Sequence, residues 1–361
     1  MNVFFLTNDA RNTAGGAFFS QKALIEELNR QGHKTALIAT KKRGGEKEQS
    51  FEVIFLKRTL FSDLGRTLQL AKLLRKRKAD LLVANMNPQI FLAAFLTFLP
   101  FQRYKKIGIF RMVYYQGYSH TLIRKISGAL FQRLDALVAI SNYAASVCQR
   151  AFYLKQRPSV VYNAFDTEDI RHKADECIQE HFENAIVNVG RLVNIKRQHY
   201  MIDLAGDLLK AGREGKFKVI IIGDGYKRGD LEKAIKRKKL KEHALLLGHK
   251  DNPFPYIKIA KLLVLTSASE GFGRVALEAF ALKVPVVAFC SNGGSGHIEL
   301  LEEGRGFLVE DQNRAALCET VSRILDNDPS VRIAVENAYN FAATLTPKAQ
   351  TDKLLGLIEI Y

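Results

Sequence analysis

Glu270 and Glu278 stand in Glu270-Gly271-Phe272-Gly273-Arg274-Val275-Ala276-Leu277-Glu278, between an apolar run at 261–265 and Ala279-Phe280-Ala281-Leu282. An ionised carboxylate in such surroundings is costly unless cations or hydrogen bonds compensate it, so the two acids are expected to hold a ligand. Gly271 and Gly273 make a permissive loop in which backbone amides can approach a bound group, and the helix that begins near Arg274 adds its positive end. Carboxylates only accept hydrogen bonds, so this pair repels a phosphate but suits the hydroxyls of a sugar or ribose. The pattern fits a ligand with phosphates in the middle and hydroxyls at both ends.

Arg191 and Lys196 lie in Gly190-Arg191-Leu192-Val193-Asn194-Ile195-Lys196-Arg197, where the strand expected at 185–189 turns into a helix. Arginine grips a phosphate bidentately and lysine supplies a compact charge, so together they can neutralise a diphosphate leaving group. The plainer reading is a solvated basic loop; its place after a strand end favours the functional one. Gly15 and Gly16 lie between the first strand and a helix at 18–30, where paired glycines can bring amides to a phosphate or simply make a tight turn. Gly223, Gly225 and Gly229 also follow a strand, but their spacing is not the dinucleotide fingerprint and an earlier unit precedes them, so they serve the turn and NAD is rejected. His120 follows a strand expected at 106–114, and Gln116 competes with it for the same place facing the ligand cleft. HExxH, GxSxG and GxxxxGK[ST] do not occur in the chain, which removes support for a zinc protease, a serine hydrolase or a P-loop enzyme.

Positioning these residues takes two domains, and 361 residues with 47% apolar content are enough for them. Strand and helix patterns alternate throughout, the signature of parallel sheets covered by helices. Strands are expected at 3–7, 35–39, 51–56, 81–84, 106–114, 136–140 and 159–162, then at 185–189, 218–222, 244–247, 262–266, 284–289 and 306–309. Each half therefore reads as a doubly wound α/β domain. The polar stretch 166–184 shows no strand pattern and is expected to be the hinge between an acceptor-side domain, 1–165, and a second domain, 185–345.

Cys148, Cys177, Cys290 and Cys318 are scattered and form no CxxC, which points to neither a disulfide framework nor zinc and suits reducing cytosol. The start of the chain reads as a first strand rather than a leader, and no apolar stretch reaches the roughly 18 residues that span a bilayer. A formal charge of +17 favours an anionic partner: nucleic acid, anionic lipid or a phosphorylated substrate. The segment 64–78 spaces leucines helically between basic residues, which suits either a solvated helix packing its leucines inward or a membrane-surface helix.

Taken together, Gly190-Arg191…Lys196, Glu270-Gly271-Phe272-Gly273…Glu278 and the Gly15-Gly16 turn resemble glycosyltransferase family 4, retaining enzymes of the GT-B fold. Val138-Ala139-Ile140-Ser141, Val161-Tyr162-Asn163-Ala164-Phe165 and Pro285-Val286-Val287-Ala288 support the likeness, which is continuous from about Ala185 to Val309 and sparser before it. The resemblance implies two Rossmann-like domains facing a central cleft, with a last helix, 346–361, that crosses back to the first domain. It implies that Arg191 and Lys196 contact the diphosphate, Glu278 the ribose, and Glu270 with the Phe272-Gly273 backbone the transferred sugar. The donor-side set is Gly15, Gly16, Gly190, Phe272, Gly273, Arg274, Val275 and Glu278, and the catalytic set Arg191, Lys196, Glu270 and His120. It also implies no metal or other cofactor, and a front-side displacement in which the leaving phosphate deprotonates the acceptor hydroxyl. The stretch 291–299 is longer than the family's usual form and leaves Glu299 without an assigned role.

The expected function is a retaining hexosyltransferase of the cytoplasm, or of the inner face of the cytoplasmic membrane. It would move sugar from a nucleotide-diphosphate sugar to a growing surface glycan such as lipopolysaccharide, capsule or another lipid-linked acceptor. The basic first half and the phenylalanine-rich 91–101 suggest that this acceptor lies at an anionic membrane. Alternatives are a nucleotide-sugar epimerase, which would form product without an added acceptor, or a phosphorylase of the same fold, and a basic nucleic-acid-binding protein. Nucleic acid is the weaker partner, because the acidic pair repels a phosphate backbone and no nucleic-acid motif occurs.

Overall fold

The computed structural model describes residues 1–9, 16–41, 50–56, 62–85, 87–100, 102–111, 120–178, 180, 182–213, 217–290 and 294–359. Continuous apolar runs become the strands of two parallel sheets, as expected where helices cover both faces of a sheet. The first unit comprises Met1–Phe165 and Leu345–Tyr361, the second Asp166–Thr344.

The first sheet holds β1 (Asn2–Asp9), β2 (Lys34–Lys41), β3 (Glu52–Phe55), β4 (Leu81–Asn85), β5 (Lys105–Phe110), β6 (Ala136–Ala139) and β7 (Ser159–Val160), in the order β3-β2-β1-β4-β5-β6-β7. Its helices are α1 (Gly16–Arg30), α2 (Ser62–Lys76), α3 (Asn87–Leu96), α4 (Thr121–Phe131) and α5 (Asn142–Phe152). From β1 the chain steps outward to β2 and β3, then back across to β4 and on to β7. Right-handed crossovers therefore place α1 on one face and α2 to α5 on the other. Within that second layer each helix packs on the next, α2 on α3, α3 on α4 and α4 on α5.

The strand expected at 106–114 ends at Phe110 among the described residues, and 112–114 lie outside them. Arg111 follows it, buried, and donates from Nε to Asn85 Oδ1 at 2.8 Å and from Nη1 to Asn163 Oδ1 at 2.6 Å. Burial pushes its guanidinium down to about 10. In α2 the leucines divide: Leu70 and Leu74 are buried, while Leu64 and Leu68 are exposed.

The second unit opens with α6 (Thr167–Ala174) and continues with β8 (Ala185–Val189), α7 (His199–Lys210), β9 (Lys218–Ile222), α8 (Arg228–Arg237), β10 (Ala244–Gly248) and α9 (Phe254–Lys258). It goes on through β11 (Leu262–Leu265), α10 (Arg274–Ala281), β12 (Val286–Cys290), α11 (Gly296–Leu301), β13 (Phe307–Glu310), α12 (Arg314–Leu325) and α13 (Ser330–Thr344). The order is β10-β9-β8-β11-β12-β13, so the direction of winding reverses between β8 and β11. The loops after those two strands flank the crevice where sheets of this kind bind ligands. The chain ends in α14 (Pro347–Glu359), which packs on α1 within the first unit.

The expected hinge, 166–184, is helical in its first half. Asp166 caps α6 by accepting from the N–H groups of Glu168 at 3.1 Å and Asp169 at 3.0 Å, and α6 packs on α9 and α10 in the second unit.

Candidate functional site

The loops after β8 and β9 are laced together. Gly190 N–H donates to Ile222 O at 2.9 Å and Leu192 N–H to Asp224 O at 2.9 Å. A Cβ on Gly223 would sit 2.0 Å from Gly190 O, and one on Gly225 would sit 2.4 Å from Leu192 O. These glycines therefore serve the close approach of two loops. Lys196 ends a single 3₁₀ turn, Asn194–Lys196, and Arg197 leaves it in the left-handed region with its guanidinium paired to Asp311 at 2.7 Å. Buried Gln198 donates to Arg191 O at 3.0 Å, which fixes the backbone at Arg191 while its side chain stays exposed.

The loop after β11 is tied to the same turn. Thr266 Oγ1 donates to Lys196 O at 2.7 Å, and Ala268 N–H donates to Ile195 O at 2.8 Å. These bonds bring the Lys196 ammonium onto the Glu270 carboxylate as a half-buried ion pair. Ser267 Oγ donates to the same Glu270 Oε1 at 2.7 Å. Burial alone would raise the Glu270 pKa, but the Lys196 charge and hydrogen bond, with the Ser267 hydroxyl, outweigh it and hold the carboxyl below its ordinary range.

A third loop, after β12, holds Glu270 from behind. Glu270 N–H donates to Ser295 Oγ at 2.7 Å, and Gly296 N–H donates to Glu270 O at 2.8 Å. His297 is fully buried, with Nε2 2.9 Å from Phe289 O and Nδ1 2.8 Å from Ser295 Oγ. A carbonyl only accepts, so Nε2 carries the proton, and Ser295 donates its hydroxyl to Nδ1. Burial keeps this imidazole neutral by pushing its pKa down. A Cβ on Gly296 would lie 2.3 Å from Gly271 O, and one on Gly273 would lie 2.6 Å from His297 Cβ, so both positions have room only for glycine.

Gly273, at φ +88°, caps α10, and Arg274 Nε donates to Glu278 Oε1 at 2.8 Å one turn along that helix. Glu278 is buried, and burial raises its pKa more than Arg274 lowers it. The two acids thus sit in opposite electrostatic settings. Phe272 buries its ring, so it can offer a ligand only its backbone, and half-buried Val275 follows on α10. Gly190, Arg191, Lys196, Glu270, Phe272, Gly273, Arg274, Val275 and Glu278 all fall on the paired loops after β8 and β11 or on α10.

The remaining expected residues lie in the first unit. Gly16 opens α1, and Gly15 and Gln116 lie outside the described residues. His120 is exposed at the amino end of α4 and makes no side-chain capping bond. Glu299 lies on α11, where its carbonyl accepts from Arg305 Nη2 at 2.8 Å. Ser267, Ser295 and His297 were not among the expected site residues. The histidine beside a glycine-rich loop after a strand was the one signal for them. A surface concavity of about 470 Å³ is lined by Asn194, Arg197, His199, Lys227 and Gln312 among others, and none of Arg191, Lys196, Glu270 or Glu278 borders it. Among the described residues no cluster of His, Cys, Asp and Glu could hold a metal ion.

A family model described as glycosyl transferases group 1 matches residues 175–341, and one described as glycosyltransferase family 4 matches residues 14–169. The chain is similar to an alpha-D-kanosaminyltransferase of Streptomyces kanamyceticus, 30% identical over 240 residues, covering 65% of this chain and 61% of that one. It is also similar to the N-acetylgalactosamine-N,N'-diacetylbacillosaminyl-diphospho-undecaprenol 4-alpha-N-acetylgalactosaminyltransferase of Campylobacter jejuni, 29% identical over 231 residues, 63% of this chain and 60% of that one. The matched region thus spans about three fifths of the length of these relatives. Among solved structures, Anabaena HepE in complex with UDP superposes over 100% of both chains with a TM-score of 0.78 at 18% identity, a likeness of fold.

Proposed function

The chain belongs to the glycosyltransferases, matching family 4 in its first half and group 1 in its second, and we propose that it is a retaining enzyme acting on a nucleotide-diphosphate sugar. The observation that carries this reading is the Lys196–Glu270 ion pair at the point where the sheet reverses its winding. A carboxylate kept ionised beside a lysine can hold a sugar hydroxyl and a phosphate oxygen side by side.

In this reading Glu270 accepts from hydroxyls of the transferred sugar, and Lys196 turns part of its charge to the diphosphate. Arg191, exposed and without an ion pair among the described residues, swings onto the same phosphates. The amino end of α10 adds its dipole, and Glu278, oriented by Arg274, takes the ribose. The bond between the anomeric carbon and the phosphate oxygen breaks while the acceptor oxygen bonds that carbon on the same face. The acceptor proton passes to the departing phosphate. The chain supplies orientation and counter-charge from its own cationic side chains, with no divalent ion in the scheme.

The acceptor in this proposal is a lipid-linked or surface glycan, a class supported by the diphospho-undecaprenol in the name of the Campylobacter relative. Melting the protein against UDP, GDP, ADP and their sugar conjugates tests the donor, since a ligand that binds only the folded chain raises Tm. One nucleotide sugar should raise it more than its bare nucleotide does. No shift with any of them sinks the reading, and an inverted anomer in the product would remove retention alone.

A further inference from the structure

The helical layer α2 to α5 carries a large excess of positive charge. α2 carries Arg66, Lys72, Arg75 and Lys76 against Asp63; α3 has no charged residue; α4 carries Arg124 and Lys125, and α5 Arg150, with no acid on either. The helices on the opposite face are balanced: α1 sets Lys22 and Arg30 against Glu26 and Glu27, and α14 sets Lys348 and Lys353 against Asp352 and Glu359. The excess charge of the first unit's helices is therefore borne by one face.

That face is also apolar where a helix ordinarily meets water. On α4, Ser127, Gly128 and Phe131 point inward, while Leu122 is 68% exposed, Ile123 44% and Ile126 53%. These three fall on one side of the helix, so the outward stripe is the apolar one; exposed Lys125 borders it, and half-buried Arg124 lies nearer the inward side. Neighbouring elements continue the pattern with Leu64 and Leu68 on α2, and with Phe95 and Phe98 on and just beyond α3, all exposed. Two cations lie over exposed rings: the Arg133 guanidinium is 4.3 Å from the Phe98 ring centre, and Lys125 Nζ is 5.4 Å from that of Tyr153. Cations over half-wet aromatic rings beside aliphatic side chains suit the boundary between headgroups and acyl chains.

We propose that the face formed by α2, α3 and α4 docks on an anionic lipid bilayer, with Leu122, Ile123 and Ile126 entering the interface and the surrounding Lys and Arg meeting lipid phosphates. A second protein copy would meet this face with its own excess of cations, whereas an anionic bilayer supplies both the apolar layer and the opposite charge. No described helix is long and apolar enough to cross a membrane, so the contact is lateral. The inference deepens the lipid-linked reading of the acceptor, but its test involves no sugar transfer and can fail or succeed independently.

The test is flotation of the full chain with vesicles of phosphatidylcholine alone and of equal parts phosphatidylcholine and phosphatidylglycerol. The chain should float only with the anionic vesicles and should be released by high salt. A double change of Ile123→Glu and Ile126→Glu, and separately Arg124→Gln with Lys125→Gln, should each weaken partitioning more than about tenfold, given roughly fivefold per basic residue near such a surface. The same change at Ile333, 66% exposed on α13 in the other unit, should leave flotation unchanged. Ile123, Ile126 and Lys125 are exposed and Arg124 is half-buried, and an unchanged Tm and Tm shift with donor in each variant separates lost docking from lost folding. The proposal is overturned if the chain floats with neither vesicle, floats equally with both, or is unaffected by either α4 variant. It is equally overturned if the wild type sediments as a dimer that the α4 substitutions dissociate.

Discussion

Lys196 is ion-paired to Glu270 across 74 residues of sequence, and both groups are half-buried at the mouths of adjacent strands, β8 and β11. The pairing comes from backbone lacing: Thr266 and Ala268 fasten the exit of β11 to the turn that ends at Lys196. One cation is thereby committed to a carboxylate that a donor sugar would have to share. Lys196→Met should lower turnover about 10²–10³-fold, the range seen when one stabilising donor is lost from a reacting centre. It should also raise the Glu270 pKa, because burial then acts without the lysine that opposes it. A double-mutant cycle with Glu270→Gln should give a coupling of about 0.5–3 kcal/mol in donor binding. Additive single effects would show that the two groups serve the donor separately.

Arg191 makes a contrasting case in the same loop. Its side chain is exposed and has no ion pair among the described residues, so Arg191→Ala should change stability by no more than about 0.5 kcal/mol. Turnover should fall at least about tenfold, since a charged hydrogen bond to the leaving phosphate is worth about 1.5–3 kcal/mol. Equal turnover in the variant would remove Arg191 from the reaction.

Much of this was legible in the amino-acid order. Each of the thirteen described strands overlaps an expected one, because a parallel strand buried on both faces is an uninterrupted apolar run that needs no partner to be recognised. Strand ends were less legible: expected and described ends differ by a residue or more at β1, β2 and β12, because hydrophobicity does not record where hydrogen bonding stops. The helix α6 was overlooked for a different reason. Its signal lies in charges at its ends, with Asp166 as cap, Glu168 and Asp169 in the first turn, and Arg171, His172 and Lys173 in the last, rather than in an apolar stripe. The acids and bases of the site could be picked out by type and spacing. Their pairing could not, because Lys196 meets Glu270, and Glu270 meets Ser295, only through loops that the sheet brings together.

Gly296 shows how tightly those loops are set. A Cβ there would lie 2.3 Å from Gly271 O and 2.8 Å from Phe272 Cα, both backbone atoms that cannot turn aside. Gly296→Ala must therefore push the loop of Glu270 and Phe272 away from α11, at a cost of about 1–3 kcal/mol by analogy with overpacked cores. The displaced segment includes Glu270, Phe272 and Gly273, so the donor-dependent rise in Tm should shrink along with Tm itself. Gly229→Ala, with nothing within 4 Å of the added carbon, is the matched control and should lower neither.

His297 gives the site a pH dependence of definite sign. Its folded pKa lies below the ordinary 6.5 because burial, which disfavours the imidazolium, outweighs the Phe289 carbonyl, which favours it; the neutral ring keeps its proton on Nε2 and accepts from Ser295 at Nδ1. The unfolded chain takes up this proton near pH 6.5 and the folded chain only at lower pH. The stability it supports is thus complete above 6.5 and falls as pH drops toward the folded value, by at most about 1.4 kcal/mol per pH unit. Glu270, lowered from 4.5, loses its contribution only further into acid, while raised Glu278 works in the opposite direction. His297→Asn should be less stable than wild type at pH 7.5, since it leaves Ser295 or Phe289 without its partner. The gap between the two proteins should narrow from about pH 6.5 downward, as the wild type alone gives up stability to histidine protonation. Chemical denaturation of both proteins at half-unit steps measures that gap, and a gap that stays constant or widens on acidification would mean that His297 is already protonated in the folded chain.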